Sequence, residues 1–273
     1  MSTAPQPENL VPALSYSIAK ILVGQSPRHA YCAHPLLGGV KGEPTPAMDF
    51  GQVAHRLLLG KGADFAIYEG KDWRGKEAGE FWNKAVEAGQ VPIKRSEHAA
   101  ALVLVSEVRR QLQEMGLGYI FSDAGTPEQK FTWAEGEIHL SCVIDWHAIH
   151  AGGRAEIWDL KITNNAHPKA CAKKIINEHY DIQEEFNVRA LSQAHPESQG
   201  RIKFQFLFVE DSFPFCITPY ENDGSGRAIG MSKTMRAFQL WAQCMKEGKW
   251  PGYAAGIVKG ETPTWAVGQE IGA

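Results

Sequence analysis

The sequence predicts one α/β domain that carries a helical elaboration at its N-terminal side. In the first 115 residues, apolar side chains recur mainly at helical spacing. Between residues 130 and 162, three runs rich in Ile, Val, Trp, Phe and Thr are separated by glycine-containing turns, as in a β-meander. A long helical segment, one or two strands and a final helix follow, with no low-complexity linker between them. This order favours a single layered α/β domain.

The elements of the N-terminal half are predicted from caps, apolar spacing and glycine stops. Residues 1–13 are rich in Pro, Ser and Gln and are expected to be flexible. Ser15 is the expected cap of a first helix that ends at Gly24, whereas Pro27 and residues 38–46 are expected to lie in loops. The further elements are helices over residues 48–59, 76–88 and 96–115, the last capped by Ser96, and a short strand over residues 65–68.

The elements of the C-terminal half begin with the three strands of the meander. These strands cover residues 130–133, 138–149 and 155–162, with turns at residues 135–136 and 151–154. A helical segment over residues 168–194 follows, and we expect a break near His179. A strand over residues 201–209, a partner strand over residues 215–220 and an amphipathic helix over residues 225–246 complete the domain, and an irregular tail begins at Gly248.

Length and charge limit the classes of protein to consider. A chain of 273 residues can build a core without disulfides or metal staples. With 28 Lys and Arg against 31 Asp and Glu, the formal net charge is −3, which excludes a histone-like wrapping protein. It does not exclude an enzyme whose cations line one groove. A hydrophobic content of 44% and a charged content of 22% are typical of a globular protein and not of a disordered chain.

Several motifs of other protein classes are missing from the sequence. The five cysteines form no CxxC pair, so neither a disulfide framework nor a zinc ribbon nor a four-cysteine iron–sulfur site is indicated. No P-loop and no GxSxG turn is present. The N-terminus has no basic segment followed by an apolar run, and the apolar stretch over residues 99–105 is too short to span a bilayer. We therefore expect a soluble cytoplasmic protein that does not bind membranes.

The meander carries the residues with the clearest chemical meaning. Asp159 and Lys161 are two positions apart on one strand, so their side chains point to the same face. Asp145 lies on the neighbouring strand, and Glu128 lies just before the first strand. Carboxylates that converge in this way suit Mg²⁺ or Mn²⁺, and a lysine beside them can stabilise developing negative charge. An isolated D-x-K pair is often a solvated ion pair, but the apolar strand around it and the second acid one hairpin away favour a site.

The order of these residues resembles the PD-(D/E)xK nuclease superfamily. Within that superfamily it is most similar to phage and prophage exonucleases of the RecE (exonuclease VIII) type, which are relatives of lambda exonuclease. The resemblance extends over about residues 14–253. Its motifs are LSYSIAKILVGQSPRHAY, DFGQVAHRLLLG with His55, Glu128, Asp145, the triplet Asp159-Leu160-Lys161, the segment Tyr180-Asp181-Ile182-Gln183 and the C-terminal GKWPGY.

This resemblance implies a fold and a set of roles. The fold would be a nuclease core with a central mixed sheet in the order α-β-β-β-α-β, flanked by helices. The single nuclease domain would span residues 14–253, between a flexible N-terminus (1–13) and an irregular tail (254–273). Metal ligands would be Asp145, Asp159 and the Leu160 carbonyl, with His55 and Glu128 at the metal or beside it. Lys161 would activate the water, and Tyr180 and Gln183 would orient Lys161 or the water.

The resemblance also implies a substrate and partners. We expect a Mg²⁺-dependent exonuclease, in which Mn²⁺ can substitute, that digests one strand of linear duplex DNA from its free 5′ end. The product would be a 3′ overhang for a single-strand-annealing recombinase of a phage or prophage in a bacterial cell. The enzyme would be a homo-oligomer whose cations line a channel. The expected DNA contacts are Lys20, Arg28, Arg56, Lys169, Lys173 and Lys174.

Two other hypotheses remain open at this point. An endonuclease, or a nuclease for another DNA structure, could use the same residues on the same core. A phage protein that binds DNA without cutting it is the second alternative, and the loss of one acid or of Lys161 would have favoured it. Digestion of end-labelled linear duplex beside a covalently closed circle, with and without Mg²⁺, distinguishes the three.

Overall fold

A six-stranded mixed sheet forms the centre of the structure, a computed structural model that describes residues 11–40 and 46–262. The helices are Tyr16–Gly24 (α1), Pro27–Ala33 (α2), Pro46–Leu59 (α3), Lys76–Glu87 (α4), Arg95–Glu114 (α5), Pro168–Asn177 (α6), Tyr180–Ala194 (α7) and Gly224–Glu247 (α8). The strands are Leu14–Ser15 (β1), Phe65–Tyr68 (β2), Val91–Lys94 (β3), Thr126–Glu135 (β4), Ile138–Ile149 (β5), Ala155–Thr163 (β6), Ile202–Glu210 (β7) and Ile217–Tyr220 (β8).

The long strand β5 organises the central sheet. On one edge it pairs antiparallel with β4. On the other edge it pairs parallel with β1 at residues 140–141 and antiparallel with β6 at residues 146–149. The strands β6 and β7 are parallel, and β8 returns antiparallel to β7. The two partners on the second edge of β5 leave residues 142–145 between them, and this interval contains Asp145.

Helices cover both faces of the sheet and form two cores. On one face, α1, α7 and α8 pack on apolar side chains such as Ile144, Ile157 and Phe206. On the other face, α3 and α5 pack on side chains such as Trp146 and Trp158. This layered arrangement confirms the predicted α/β class with a central mixed sheet flanked by helices. Because Ile144 and Trp146 belong to different cores, the regular alternation of side chains along β5 is interrupted at the residue between them.

Several predicted elements of the C-terminal half are confirmed. The three strands of the meander, the pairing of β8 with β7 and the final helix α8 are present. The predicted break in the long helical segment is also present, because His179 adopts a left-handed backbone conformation with φ of 58° between α6 and α7. The tail from residue 248 to residue 262 contains neither helix nor strand.

The prediction of a loop at Pro27 is wrong, because this residue begins helix α2. The side chain of Ser26 accepts a hydrogen bond from the backbone N–H of His29 and thereby caps the helix. Proline in the first turn lacks an N–H that would have no partner there, so it does not interrupt the helix. A serine followed directly by a proline is therefore the start of a helix here and not part of a loop.

Two further predictions in the N-terminal half need correction. Strand β3 was not predicted, although it pairs parallel with β2 in a separate two-stranded sheet. Its four residues include Pro92, which usually argues against a strand. Helix α5 begins at Arg95, so Ser96 lies inside its first turn and is not its cap. Instead, Glu97 accepts a hydrogen bond from the backbone N–H of Lys94 at 3.2 Å.

The predicted flexible N-terminus and the last part of the predicted tail fall largely on residues 1–10 and 263–273, which lie outside the described residues. Across residues 11–40 and 46–262, none of the helices combines the length and apolar character that a membrane crossing requires.

Candidate active site

Three acidic residues lie opposite one another on the neighbouring strands β4, β5 and β6. The register pairs Pro127 with Trp146 and Gln129 with Ile144, so Glu128 falls opposite Asp145. Continuing the register of β5 and β6 from Trp146 and Trp158 places Asp145 opposite Asp159. Glu128 therefore lies inside β4. The prediction that it precedes the first strand is wrong.

The backbone at Glu128 is unusual for a residue within a strand. Its φ is 49°, which lies in the left-handed region of backbone conformations. Residues other than glycine adopt this region at a cost of about 1–3 kcal/mol. The distortion lies next to the point where the side chains of β5 change face. It gives the Glu128 carboxylate a direction that a regular strand would not, and this carboxylate meets a histidine from helix α3.

His55 contacts both of these acids from helix α3. Its Nδ1 lies 3.2 Å from Glu128 Oε1, and its Nε2 lies 3.1 Å from Asp145 Oδ2. The helix is held over the sheet by Ala54 and Leu58, which are fully buried in the core shared with α5. The neighbours of His55 in sequence thus fix its height above the strands, and the imidazole bridges two carboxylates.

Burial and the two carboxylates have opposite effects on His55. Burial lowers the pKa of the imidazole, but the hydrogen bond and charge of Asp145 and the charge of Glu128 outweigh it, so the pKa is raised. Burial raises the pKa of Asp145, yet the contact with His55 and the charge of Lys161 hold it below its usual value. Burial raises the pKa of Glu128. The two carboxylates together carry more negative charge than a protonated His55 neutralises.

This cluster fits a divalent metal ion. One ligand atom from each of His55, Glu128 and Asp145 lies within 4.8 Å of the others, and all three side chains are half-buried. Two carboxylate oxygens and one imidazole nitrogen suit Mg²⁺ or Mn²⁺, with water completing the shell. Asp145 Oδ2 also accepts a hydrogen bond from the backbone N–H of Leu160 at 2.8 Å, which fixes its direction. The predicted ligand roles of Asp159 and of the Leu160 carbonyl stay predictions.

Asp159 belongs to a second, adjoining group. Its side chain is fully buried, with Oδ2 at 2.5 Å from Lys161 Nζ and Oδ1 accepting a hydrogen bond from Gln183 Nε2 at 2.5 Å. Gln183 Oε1 in turn accepts from Lys161 Nζ at 2.8 Å. The ammonium group also lies 4.6 Å above the centre of the Tyr180 ring. Helix α7 thus holds Lys161 in place through its contacts with Gln183 and Tyr180.

The charges of Asp159 and Lys161 depend on each other. Burial raises the pKa of Asp159 to about 7, although the charge of Lys161 opposes this effect. For Lys161, burial lowers the pKa, but the negative charges of Asp159 and Asp145 outweigh it and keep the amine protonated. A positive charge is therefore fixed beside the group of His55, Glu128 and Asp145.

Two cavities meet at this site. The larger has a volume of about 1260 Å³ and contains His55, Glu128, Lys161 and Tyr180 in its wall. The smaller has a volume of about 370 Å³ and lies on the other side of Glu128, which borders both. Asp145 and Gln183 line the smaller cavity.

The predicted DNA-binding cations lie at different distances from the larger cavity. Lys174 lines it and donates a hydrogen bond to Thr163 Oγ1 at 2.7 Å. Lys169 and Lys173 are exposed on the same helix, α6. Arg56 lies at a separate cavity, where it contacts Gly60 and Asp64. Arg28 is exposed on α2 and Lys20 is half-buried on α1, and neither lines the larger or the smaller cavity.

The sequence-based reasoning missed two parts of the site. The hairpin between β7 and β8 contributes Asp211, Ser212 and Phe215 to the larger cavity. Asn187 lines the smaller cavity, is 1% exposed, and neither its Oδ1 nor its Nδ2 has a hydrogen-bond partner. Asn187 lies one helical turn after Gln183, so the 3.6-residue period could have identified it.

Comparisons with known proteins show the family and the fold of the chain. A family model described as a PDDEXK-like domain of unknown function (DUF3799) matches residues 15–259. No curated protein matches the sequence. Among the solved structures that match is the crystal structure of a candidate exonuclease from Eubacterium rectale, with a TM-score of 0.60 and 11% sequence identity, covering 97% of this chain and 98% of that chain. At this identity the likeness concerns the fold alone. Because the family match extends over most of its length, the chain belongs to the PDDEXK-like domain family DUF3799.

Proposed function

We propose that the chain is a Mg²⁺-dependent exonuclease that hydrolyses one strand of linear duplex DNA from a free end. The observation that carries this proposal is that a candidate metal site lies next to a buried lysine. A group suited to a divalent cation, formed by His55, Glu128 and Asp145, adjoins a buried ammonium held by Asp159 and Gln183. Each group reaches the wall of a cavity of about 1260 Å³, the first through His55 and Glu128 and the second through Lys161.

In this proposal His55, Glu128 and Asp145 hold the cation, and Asp159 is a further ligand on the family resemblance. A bound Mg²⁺ supplies charge stabilisation for the phosphate and makes a water molecule more acidic. Lys161 Nζ donates to the attacking water or to a phosphate oxygen, where the charge of the transition state grows. Asp159 and Gln183 keep the ammonium in that position and hold it protonated. Mn²⁺ can replace Mg²⁺ because it prefers the same oxygen-rich ligands.

The smaller cavity supports attack at a chain end. It lies directly beyond the acidic residues and is lined by the hydroxyl residues Ser15, Ser17 and Ser141, by Lys130 and by the unpartnered amide of Asn187. These donors suit a terminal phosphate, and the first turn of α1 adds the positive end of a helix dipole. A pocket that receives the end of a strand favours an exonuclease over an endonuclease. On the family resemblance, we propose that digestion starts at the 5′ end. The product would then be a 3′ overhang, which a single-strand-annealing recombinase could bind.

The test is digestion of a linear duplex labelled at either 5′ end, beside a covalently closed circle of the same sequence. We expect mononucleotide release from the linear duplex in Mg²⁺, no reaction in EDTA and no cutting of the closed circle. Asp159→Asn should lower hydrolysis to background while the folded state and DNA binding persist. His98→Ala, which changes a histidine on α5, should retain wild-type activity.

Three outcomes would contradict the proposal. Rapid cutting of the closed circle would make the enzyme an endonuclease. Wild-type turnover by Asp159→Asn in Mg²⁺ would show that the reaction occurs elsewhere. Retention of DNA binding without hydrolysis under all metal conditions would support the non-catalytic alternative.

A further inference from the structure

The hairpin between β7 and β8 carries an aromatic side chain directly into solvent. Phe213 is 87% exposed, more than any other aromatic side chain in residues 11–40 and 46–262. A single exposed apolar side chain is ordinary on a protein surface, so a function for Phe213 has to be argued from the residues around it.

The hairpin is anchored to the strand that carries Asp159 and Lys161. The backbone N–H of Asp211 donates to the carbonyl of Thr163, the last residue of β6, at 2.9 Å. On the far side of the hairpin, Gln111 Nε2 donates to the carbonyl of Phe215 at 2.9 Å. The turn itself is closed by the N–H of Phe215, which donates to the carbonyl of Ser212 at 2.8 Å. The exposure of Phe213 is thus set by a fixed turn.

In the chain, Phe213 lies between residues that line the larger cavity. Asp211, Ser212 and Phe215 line that cavity, and the rings of Phe213 and Phe215 are 6.3 Å apart at an interplanar angle of 85°. Phe215 packs against the core under α3 and α5. The two rings therefore form a continuous aromatic path from the buried wall of the cavity to its solvent-exposed rim.

The residues of the hairpin favour a contact with the bases of DNA over a contact with its phosphates. Residues 210–216 contain two acids, Glu210 and Asp211, and no lysine or arginine. Such a segment cannot neutralise phosphates, which are attracted by Lys161 and Lys174 in the same cavity. An exposed aromatic ring instead offers a surface on which a nucleobase stacks.

We propose that Phe213 is a positioning residue that stacks on a nucleobase of the DNA strand lying in the larger cavity. The inference rests on the proposed function and adds to it a base contact at the rim of that cavity. The stacked base would fix the register of the strand relative to Lys161, which lines the same cavity. Any base has an aromatic face, so the contact requires a base at that position but does not select its sequence.

The experiment uses linear duplexes that carry one abasic nucleotide, moved step by step along the digested strand. The wild-type enzyme should slow at one position, where the missing base would have met Phe213. Phe213→Ala should lower kcat/KM on the intact duplex by roughly 5- to 150-fold, the range observed when a stacking aromatic is removed. The same variant should no longer distinguish the abasic position. Phe213→Trp should retain both the rate and the discrimination.

A binding measurement provides a readout that does not depend on hydrolysis. With 2-aminopurine at the sensitive position and EDTA present, the full chain should quench the fluorescence of the base, and Phe213→Ala should quench it much less. Met231→Ala serves as the control, because it removes a half-exposed apolar side chain on α8 that does not line the larger cavity. This variant should behave as the wild type in both experiments.

The outcomes separate this inference from the proposed function. If the wild type does not digest the duplex, the proposed function fails. If the wild type digests it and Phe213→Ala has the same rate and the same abasic profile, only the inference is overturned. A change in molar mass by light scattering on Phe213→Ala, with an unaltered abasic profile, would assign the ring to contact with a second copy of the chain and would also overturn it.

Discussion

At the scale of single residues, the position of Lys161 is determined by its partners more than by its own strand. Asp159, Gln183 and the Tyr180 ring all hold its ammonium group. Truncation to alanine removes a positioned charge from the reacting centre, which lowers kcat by about 10²–10³. We expect Lys161→Ala to show this loss with little change in metal affinity, measured by single-turnover hydrolysis and by Mn²⁺ titration. A variant that loses Mn²⁺ binding and keeps its rate per bound ion would contradict this role.

Removal of His55, unlike removal of Lys161, should lower the affinity for the metal ion. Because it contacts Glu128 and Asp145 and can donate a ring nitrogen to a cation, its removal should weaken metal binding. A ligand that binds only the folded state raises the melting temperature in proportion to the logarithm of its concentration over Kd. Mn²⁺ should therefore raise the Tm of the wild type clearly and that of His55→Ala much less, as measured by differential scanning fluorimetry. Equal shifts in the two proteins would exclude His55 as a ligand.

At the scale of elements, helix α7 is held against α8 at a very close approach. Gly230 of α8 is buried, and a Cβ atom added there would lie 2.4 Å from the carbonyl oxygen of Asp181. Gly230→Ala gains up to about 1 kcal/mol of helix propensity but overpacks a backbone contact, which typically costs about 1–3 kcal/mol. We expect net destabilisation in urea unfolding. Gly79→Ala on α4, where a Cβ would meet nothing within 4 Å, should stabilise the protein slightly.

Helix α7 also makes the stability dependent on pH. Burial raises the pKa of Glu184 to about 7, and its carboxyl accepts a hydrogen bond from Asn222 at 2.7 Å. Its folded-state pKa lies above its unfolded value, so its contribution to stability is complete below about pH 4.5 and is lost as the pH rises through about 7. Glu184→Gln should remove this dependence and raise the Tm relative to the wild type at pH 8 more than at pH 5. An equal difference at both pH values would contradict it.

At the scale of the whole molecule, the proposed DNA binding requires a chain with a net charge of −3 to concentrate its cations in one region. Lys169 and Lys173 are exposed on α6, the helix whose Lys174 lines the larger cavity. Reversing both to glutamate should weaken binding and lower the slope of log K against log salt by about 2, since each phosphate contact contributes about 0.9. The rate on a short oligonucleotide at saturation should change little. Lys76→Glu with Lys84→Glu on α4 is the control, and an equal effect there would reject the assignment.

We further propose that copies of the chain assemble around DNA and digest it processively. Light scattering of the free protein measures the assembly, and a competitor trap added during digestion of a long duplex measures the processivity. A monomer that releases DNA after each nucleotide would contradict both parts of this proposal.

The parts of the fold that could be predicted are those set by neighbours in sequence. The two-residue period of a strand placed Asp159 beside Lys161, and the 3.6-residue period separated most of the helices. The contact of His55 with Glu128 joins residues 73 positions apart in the chain, and no local period relates them. The left-handed backbone at Glu128 could not be predicted either, because the surrounding structure imposes it against the preference of the residue.

The left-handed backbone of His179 has a consequence for how such an enzyme can evolve. It ends the helix that presents Lys169 and Lys173 and begins the one that carries Tyr180 and Gln183. Substitutions act almost additively only where their sites are well separated and share no partner. The two helices are in contact and contribute to the same core, so changes at their buried positions have to be selected together. The exposed positions of Lys169 and Lys173 can instead vary with little effect on that core, which makes them suitable for a laboratory library that leaves Tyr180 and Gln183 unchanged.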